Sequence, residues 1–222
     1  TLRRSSAASD VYKRQGPDDD GDGTCNSYII PGKTVYIAGA SYDSNGNYTA
    51  CYWKDGVRYE LPGGAWATDL FVENGTVYTS GTGEGSDACY WIDQTRYDLP
   101  GNWGEAEAIT VHNGDIYVAG HFTTGGFNVG SCYWKNGVKT NLTINRDSQA
   151  FGIAVKNNGD VYTGGWFMNN HHYVLPCFWK NSSRTTLSVP SGGDGEVNDI
   201  ALMNGNVRYF AGFAMKPDNF AG

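Results

Sequence analysis

The stretch VYTSGTGEGSDACYWIDQTRYDLPGNWGEAEAITVHNGDIYVAG, residues 77–120, contains every element from which the rest of the chain is built. It begins and ends with a hydrophobic-Tyr-x-small-Gly element. Between these two copies stand a Cys-Tyr-Trp element, a Leu-Pro-Gly element and an Ile-x-Val element. The same elements return in the same order, 39 to 47 residues apart, each time with a glycine that closes the Tyr element. These closing glycines are Gly39, Gly81, Gly120, Gly165 and Gly212.

Each repeat predicts four short strands, which we label a (Ile-x-Val), b (the Tyr element), c (Tyr-Trp) and d (the leucine element). Asn-Gly pairs separate a from b and predict tight hairpins, because both residues tolerate positive φ. They occur at Asn74, Asn113, Asn158 and Asn204. The small residue and glycine at the end of b suit close packing between repeats. Four antiparallel strands per repeat, without helical periodicity, are typical of a β-propeller blade, whereas a β-sandwich does not predict one motif recurring in register.

The predicted fold class is therefore all-β: a β-propeller with four-stranded antiparallel blades, of which about four and a half are present. The blades cover approximately residues 26–63, 64–101, 102–144 and 145–189, with a partial blade at 193–222. The last blade stops after its b strand, and a closed propeller needs a complete ring. We therefore expect a fragment of a propeller with six to eight blades.

The repeat pattern VYxAG…CYWKNG…LPG…AxxIxV resembles that of β-propeller proteins of Bacteroides-type bacteria, many of which look like surface lipoproteins. It is also loosely kelch-like, although a double glycine occurs only at Gly164-Gly165 and the Tyr and Trp are adjacent. The resemblance covers residues 28–222. It implies a propeller fold and an extracytoplasmic location at the bacterial outer membrane or cell surface, but no activity. The sequence has no signal segment or spanning run, so any lipid anchor is expected upstream.

The first 25 residues differ from the repeats. Residues 1–15, TLRRSSAASDVYKRQ, resemble a translated sequencing adapter, and the alternative is a basic disordered tail. Residues 16–25 predict an acidic flexible linker: Asp18, Asp20 and Asp22 match the start of an EF-hand loop, but Ile29 stands where that loop needs a bidentate carboxylate. Without residues 1–15 the formal charge falls from −7 to −10. This balance disfavours nucleic acids and anionic membranes as partners.

Four of the five cysteines occupy one blade position, directly before Tyr or Phe. In a propeller, equivalent c-strand positions of neighbouring blades lie on the order of 15 Å apart, whereas a disulfide needs Cα atoms within about 7 Å. The same spacing excludes a shared metal ion. We therefore interpret these residues as small buried side chains, and we predict no metal site and no cofactor. The four are Cys51, Cys89, Cys132 and Cys177.

The b–c and d–a connections of a four-stranded meander lie on one face, and here they carry the residues that vary between repeats. Loops on a rigid scaffold commonly hold binding sites, and aromatic rings suit a sugar ring or a protein hot spot. Trp66 and Trp103 each follow a Leu-Pro-Gly, so packing at a blade junction is their alternative role. The candidate ligand contacts are Tyr42, Asp43, Tyr48, Trp66, Trp103, His121, Phe122, Trp166, Phe167, His171, His172 and Tyr173.

Signals for catalysis are absent from the motifs. There is no Gly-x-Ser-x-Gly, phosphate loop or His-Glu-x-x-His, and His121 with His171 and His172 lacks a metal-ligand spacing. We expect a non-catalytic, surface-exposed propeller that binds a glycan or a protein through its b–c and d–a face. The alternative is a propeller-fold polysaccharide hydrolase or lyase, in which acidic residues converge on that face.

Overall fold

The computed structural model of the chain describes residues 34–126, 128–203 and 207–215. These ranges contain seventeen β-strands and no helix, and neighbouring strands pair antiparallel. The all-β class and the four-stranded antiparallel unit predicted from the repeat are thereby confirmed. The segments 1–15 and 16–25 and the turn at Asn204 lie outside the described residues.

Consecutive strands form five sheets, numbered I to V, and the strand order within each sheet follows the chain. Sheets II, III and IV contain strands a to d, while the described parts of sheets I and V contain b to d and a to b. Sheet I is β1 (Tyr36–Tyr42), β2 (Tyr48–Lys54) and β3 (Val57–Glu60); sheet II is β4 (Gly64–Glu73), β5 (Thr76–Gly83), β6 (Ala88–Ile92) and β7 (Thr95–Asp98); sheet III is β8 (Gly104–His112), β9 (Asp115–Gly125), β10 (Asn128–Lys135) and β11 (Val138–Thr143); sheet IV is β12 (Ser148–Val155), β13 (Val161–Met168), β14 (Val174–Lys180) and β15 (Ser183–Thr186); and sheet V is β16 (Gly195–Met203) and β17 (Val207–Ala214).

Each c–d turn is fastened to the start of strand b by two reciprocal hydrogen bonds. In sheet III the Asn136 side-chain oxygen accepts the Ile116 N–H at 2.8 Å, and the Asn136 N–H donates to the Ile116 carbonyl at 2.9 Å. Asn136 has a φ of 50°, a conformation that Asn and Asp tolerate better than most residues. Turn chemistry therefore explains why Asp or Asn recurs here. The equivalent pairs are Asp55 with Val35, Asp93 with Val77, and Asn181 with Val161.

The closing glycines lie opposite a β-bulge that recurs in every described a strand. In β8 the bulge lies between Ala106 and Ala108, and Ala106 pairs with Gly120. A Cβ on Gly120 would overlap the carbonyl oxygen of Glu105, and Gly81, Gly165 and Gly212 meet the same obstacle. The prediction of packing between repeats is therefore wrong for the closing glycines, which face a close approach inside each sheet, but it holds for the small residue Gly164, which lies against Val197 of sheet V. The other bulges lie at residues 67–69, 150–152 and 197–199.

The hydrophobic core lies between neighbouring sheets, and each cluster combines side chains from two of them. The c-strand tryptophans Trp91, Trp134 and Trp179 are fully buried in these clusters. Their indole N–H groups donate to the last strand of the preceding sheet or to the connector that leaves it, which satisfies the polar end of a buried ring. The acceptors are the Pro62 carbonyl at 3.1 Å, the Pro100 carbonyl at 3.0 Å and Thr143 Oγ1 at 3.2 Å.

Strand d differs from its prediction in position. Leu61, Leu99 and Leu187 directly follow β3, β7 and β15 instead of lying within them. Their N–H groups still donate to strand c, at 2.8–3.0 Å, so the ladder continues for one bond beyond the strand. The leucine element marks the point at which the chain leaves the sheet edge, and Leu61 and Leu99 are buried there.

One hairpin turn also differs. Asn74 and Asn113 have positive φ, as does the glycine that follows each of them, in agreement with the prediction. At the third turn only Gly159 has positive φ, and its N–H donates to the Lys156 carbonyl at 2.8 Å. The prediction for Asn158 is wrong because this loop is longer, so a single glycine suffices to close it.

Candidate functional site

The b–c turns and the d–a connectors meet on one side of the sheets, which we call the loop face. In sheet II the Glu84 N–H donates to the Gly63 carbonyl at 3.2 Å. Between sheets, the Gly104 N–H donates to the Ser86 carbonyl at 3.1 Å. These bonds join neighbouring connections into one continuous surface, as expected for a four-stranded meander.

The strands extend further toward the loop face than the sequence predicts. Trp166 and Phe167 lie inside β13, and His121 and Phe122 lie inside β9. The b–c turns therefore shrink to short segments such as 43–47 and 169–173. Their assignment to loops is wrong because the b–c ladder continues past the closing glycine.

Two of these turns are built around one side chain. Asp43 accepts the N–H groups of Asn45 and Asn47, each at 2.8 Å. Asn169 accepts those of His171 and Tyr173 at 2.8 and 3.1 Å. The hydrogen bond from Asn47 holds the pKa of Asp43 below its ordinary value. Asp43 and Asn169 therefore shape the loop face, while exposed His171, His172 and Tyr173 are displayed by it.

Three candidate residues form a contiguous exposed group, the aromatic cluster, defined as Tyr42, Tyr48 and Trp66. Ring centroids are 4.5 Å apart between Tyr42 and Tyr48 and 5.6 Å apart between Tyr48 and Trp66. The three side chains are 63%, 48% and 44% exposed. A hydrogen bond with Tyr48 raises the pKa of Tyr42 above its ordinary value. The cluster spans sheets I and II and keeps its rings open to solvent.

Trp103 is a second exposed aromatic residue on the loop face, and it is 71% exposed. Its φ of 40° lies in the region that favours glycine, a conformation that costs about 1–3 kcal/mol for a bulky residue. The Trp103 carbonyl accepts the Thr123 N–H at 2.8 Å and the Thr123 hydroxyl at 3.1 Å, which hold the backbone in place. A polar groove beside it is lined by Gly101, Asn102, Phe122, Thr123, Thr124, Lys139, Asn141 and Ile144.

Trp66 and Trp103 do not occupy one repeat position. Trp66 lies within β4 opposite Thr82, and the residue in the same register of sheet III is Glu105, opposite His121. Trp103 precedes β8. Their similar spacing from a Leu-Pro-Gly, five residues after Leu61 and four after Leu99, is therefore misleading, and β4 contains a second register shift between Gly64 and Trp66.

The candidate aromatics on the b strands of sheets III and IV, unlike exposed Tyr173, are covered. Phe122 and Phe167 are buried, and cationic groups lie 3.5 Å from each ring centroid: Lys139 Nζ over Phe122 and the Arg184 guanidinium over Phe167. Trp166 is half-buried and pairs with Gln149 and Pro176. These rings contribute to the scaffold beneath the loop face.

A His–carboxylate group contains His121 and two residues that were not predicted, Glu105 and Glu107. One ligand atom from each lies within 4.8 Å of the other two. His121 Nδ1 is 3.9 Å from Glu107 Oε1. Glu107 is 5% and His121 8% exposed, whereas Glu105 is exposed. The Glu-Ala-Glu pattern, with alternate residues on one strand face, is the sequence signal that could have indicated this pair.

The four repeated cysteines are buried free thiols. Burial raises the pKa of each one above its ordinary value, and for Cys89 to about 12. Because the thiolate is the reactive form, these residues are suited to packing and not to nucleophilic chemistry.

Compared with models of known protein families and with curated proteins, the chain matches none. The part of the chain that the structure describes also contains no helix with the length and apolar character needed to span a membrane.

Proposed function

We propose that this chain is a β-propeller repeat protein at a bacterial cell surface whose loop face binds a neutral glycan through the aromatic cluster. The propeller arrangement is supported by the a strands, since β4 contacts β8, β8 contacts β12 and β12 contacts β16. Repetition of one four-stranded sheet with its first strand against the next sheet is the propeller pattern. The cell-surface location rests on the repeat resemblance.

The aromatic cluster is the observation that carries the binding proposal. Tyr42, Tyr48 and Trp66 expose adjoining rings to water, which is unfavourable unless another molecule covers them. Aromatic faces pack against the apolar C–H surface of a sugar, while the phenolic hydroxyls supply hydrogen bonds. Trp103 and the polar groove at Asn102 and Lys139 offer a second contact region on the same face. The formal charge of −7 favours neutral over acidic glycans.

Affinity electrophoresis tests this proposal. The full chain is run through gels containing one neutral polysaccharide each, such as xyloglucan, glucomannan or glycogen, with polygalacturonate as the acidic contrast. We expect retardation in at least one neutral gel. Trp66→Ala and Tyr48→Ala should weaken that binding about tenfold or more, because a central aromatic contact contributes at least about 1.4 kcal/mol.

Tyr97→Ala is the matched control, since Tyr97 is comparably exposed but lies on the edge strand β7. It should bind as the wild type does. Melting temperatures should stay unchanged for Trp66→Ala, because nearly half of this side chain is already exposed. Equal mobility of the wild type with and without every polysaccharide would contradict glycan binding, and unchanged affinity in both cluster variants would contradict the site.

A polysaccharide hydrolase or lyase is the second candidate, and it is favoured by the proximity of Glu105 and Glu107 on the loop face. Paired carboxylates are the usual catalytic groups for glycoside hydrolysis. Here one of the two is buried, which limits access to a sugar ring. Release of reducing ends or unsaturated products from any retarding polysaccharide would favour the enzyme over the binder.

A further inference from the structure

We propose that Glu105, Glu107 and His121 bind one divalent transition-metal ion of the zinc type. The three side chains come from two adjacent strands, β8 and β9, and Glu105 pairs directly with His121 in the ladder. One ligand atom of each lies within 4.8 Å of the others. This proposal is independent of glycan binding, because it concerns a group on a different sheet from the aromatic cluster.

Comparison with the other sheets separates this group from the requirements of the fold. Glu105 precedes the residue that pairs with the closing glycine, Glu107 is the extra residue of the bulge, and His121 follows the closing glycine. The same three positions exist in sheets II, IV and V. None of those sheets combines two carboxylates with an imidazole. The equivalents are Trp66, Thr68 and Thr82 in sheet II, Gln149, Phe151 and Trp166 in sheet IV, and Glu196, Asn198 and Phe213 in sheet V. Sheets II, IV and V therefore form the same bulge without these residues. The combination of two carboxylates and an imidazole is specific to sheet III and is not required by the fold.

The charges of the group favour a cation. Glu105 brings a second negative charge close to the buried Glu107 carboxylate, and a bound metal ion is one of the arrangements that stabilise charge in a buried position. His121 Nδ1 lies 3.9 Å from Glu107 Oε1, which is too long for a hydrogen bond and leaves room for an ion to bridge the two atoms. A dication between the three side chains neutralises both carboxylates and uses the imidazole as a neutral ligand.

The dimensions fit a small ion. Zinc–nitrogen and zinc–oxygen distances of about 2.0–2.2 Å place tetrahedral ligand atoms roughly 3.3 Å apart. The present separations of up to 4.8 Å contract to that value mainly through Glu105, whose exposed side chain can change rotamer. An imidazole nitrogen selects zinc, cobalt or nickel over calcium and magnesium. Three protein ligands leave the fourth coordination position for water.

Gln149 of sheet IV is the positioning residue for the imidazole. Its side-chain nitrogen lies 3.5 Å from His121 Nε2. When the amide presents its oxygen instead, it accepts the Nε2–H, and the Nδ1 lone pair is then directed toward Glu107. Ligating histidines commonly donate their second N–H in this way, which fixes the tautomer.

Cobalt is the probe for the test, because its visible absorption reports tetrahedral coordination. The chelator-treated full chain is titrated with Co²⁺ in excess Mg²⁺, which occupies exposed carboxylates, and the cobalt is then displaced with Zn²⁺. We expect saturation at one ion per chain and a higher melting temperature with Zn²⁺. Glu105→Gln, Glu107→Gln and His121→Asn should each weaken cobalt binding at least tenfold.

Glu105→Gln is the decisive variant, because this exposed side chain can lose its charge without disturbing the core. Its metal-free melting temperature should equal that of the wild type. His171→Asn, which alters an exposed histidine of another sheet, is the matched control and should bind cobalt unchanged. Absence of saturable absorption, or equal cobalt affinity in Glu105→Gln and wild type, overturns the proposal and leaves His121 as a charge partner of Glu107 alone.

Discussion

Replacing Gly120 by alanine probes the close approach of strands a and b within one sheet. The added Cβ would overlap the carbonyl oxygen of Glu105 and lie 3.1 Å from the Trp134 ring. To remove this overlap, β8 and β9 have to separate at the bulge. The separation strains about two ladder hydrogen bonds, which contribute roughly 1 kcal/mol each. Overpacking the Trp134 ring adds about 1 kcal/mol more. We therefore expect Gly120→Ala to destabilise the protein by about 3 kcal/mol.

Two other glycines, one in the β8–β9 turn and one in the connector before β8, separate this steric effect from the other reasons for glycine. Gly114 has a φ of 80° and open space around its Cβ position, so Gly114→Ala should cost only about 1 kcal/mol. Gly101 does not have positive φ, and its added Cβ would make an ordinary contact with Phe122 at 3.4 Å. Gly101→Ala should therefore change stability by less than about 0.5 kcal/mol.

Urea unfolding followed by tryptophan fluorescence measures all three variants against the wild type. The buried c-strand tryptophans make this signal sensitive to separation of the sheets. The expected order of destabilisation is Gly120→Ala, then Gly114→Ala, then Gly101→Ala. A Gly120→Ala midpoint equal to that of Gly101→Ala would refute the assignment of the closing glycines to contact inside the sheet.

Two further predictions concern a strained turn and an ion pair. His172 has a φ of 63° at the turn position where sheet I has Gly46 with a φ of 81°. His172→Gly should therefore raise the melting temperature, with a gain of about 1 kcal/mol in stability, while His171→Gly should not. The Lys180 ammonium, 2.8 Å from Asp160, holds the pKa of Asp160 down to about 2. Ionised Asp160 therefore stabilises the folded protein fully above the unfolded pKa of about 4, and this contribution is lost as the pH falls toward 2. Asp160→Asn should thus lower the urea midpoint at pH 7 but hardly at pH 2; an equal difference at both pH values would contradict this cause.

The repeat made most of the sheet architecture predictable because its signals are local. Asn113 and Gly114 tolerate the positive φ of a tight turn, so the hairpin was predictable from two adjacent residues. Trp134 occupies the c-strand position that recurs as tryptophan, so its burial in the core was predictable from the repeat. Strand ends were less predictable. The ladder beyond Gly165 depends on pairing with β12 and β14, which places Trp166 and Phe167 in a strand without any local signal.

The candidate site was predictable only in part for the same reason. Tyr42 and Tyr48 flank a recognisable turn, but their contact with Trp66 depends on the packing of sheet II against sheet I. Glu105 and Glu107 were missed because their meeting with His121 depends on strand register and on the bulge at Ala106. Non-local pairing, unlike turn chemistry, leaves little trace in a single sequence.

The indole hydrogen bonds have a direction along the chain. Trp91, Trp134 and Trp179 each donate to an acceptor that precedes them in the sequence, at the end of the preceding sheet or in the connector that leaves it. During synthesis, each acceptor therefore emerges from the ribosome before the tryptophan that needs it, and a growing chain can add finished sheets one at a time. If the chain were made from its C-terminus, each tryptophan would emerge before the acceptor of its indole N–H. The direction of these bonds therefore suits assembly in the order of translation.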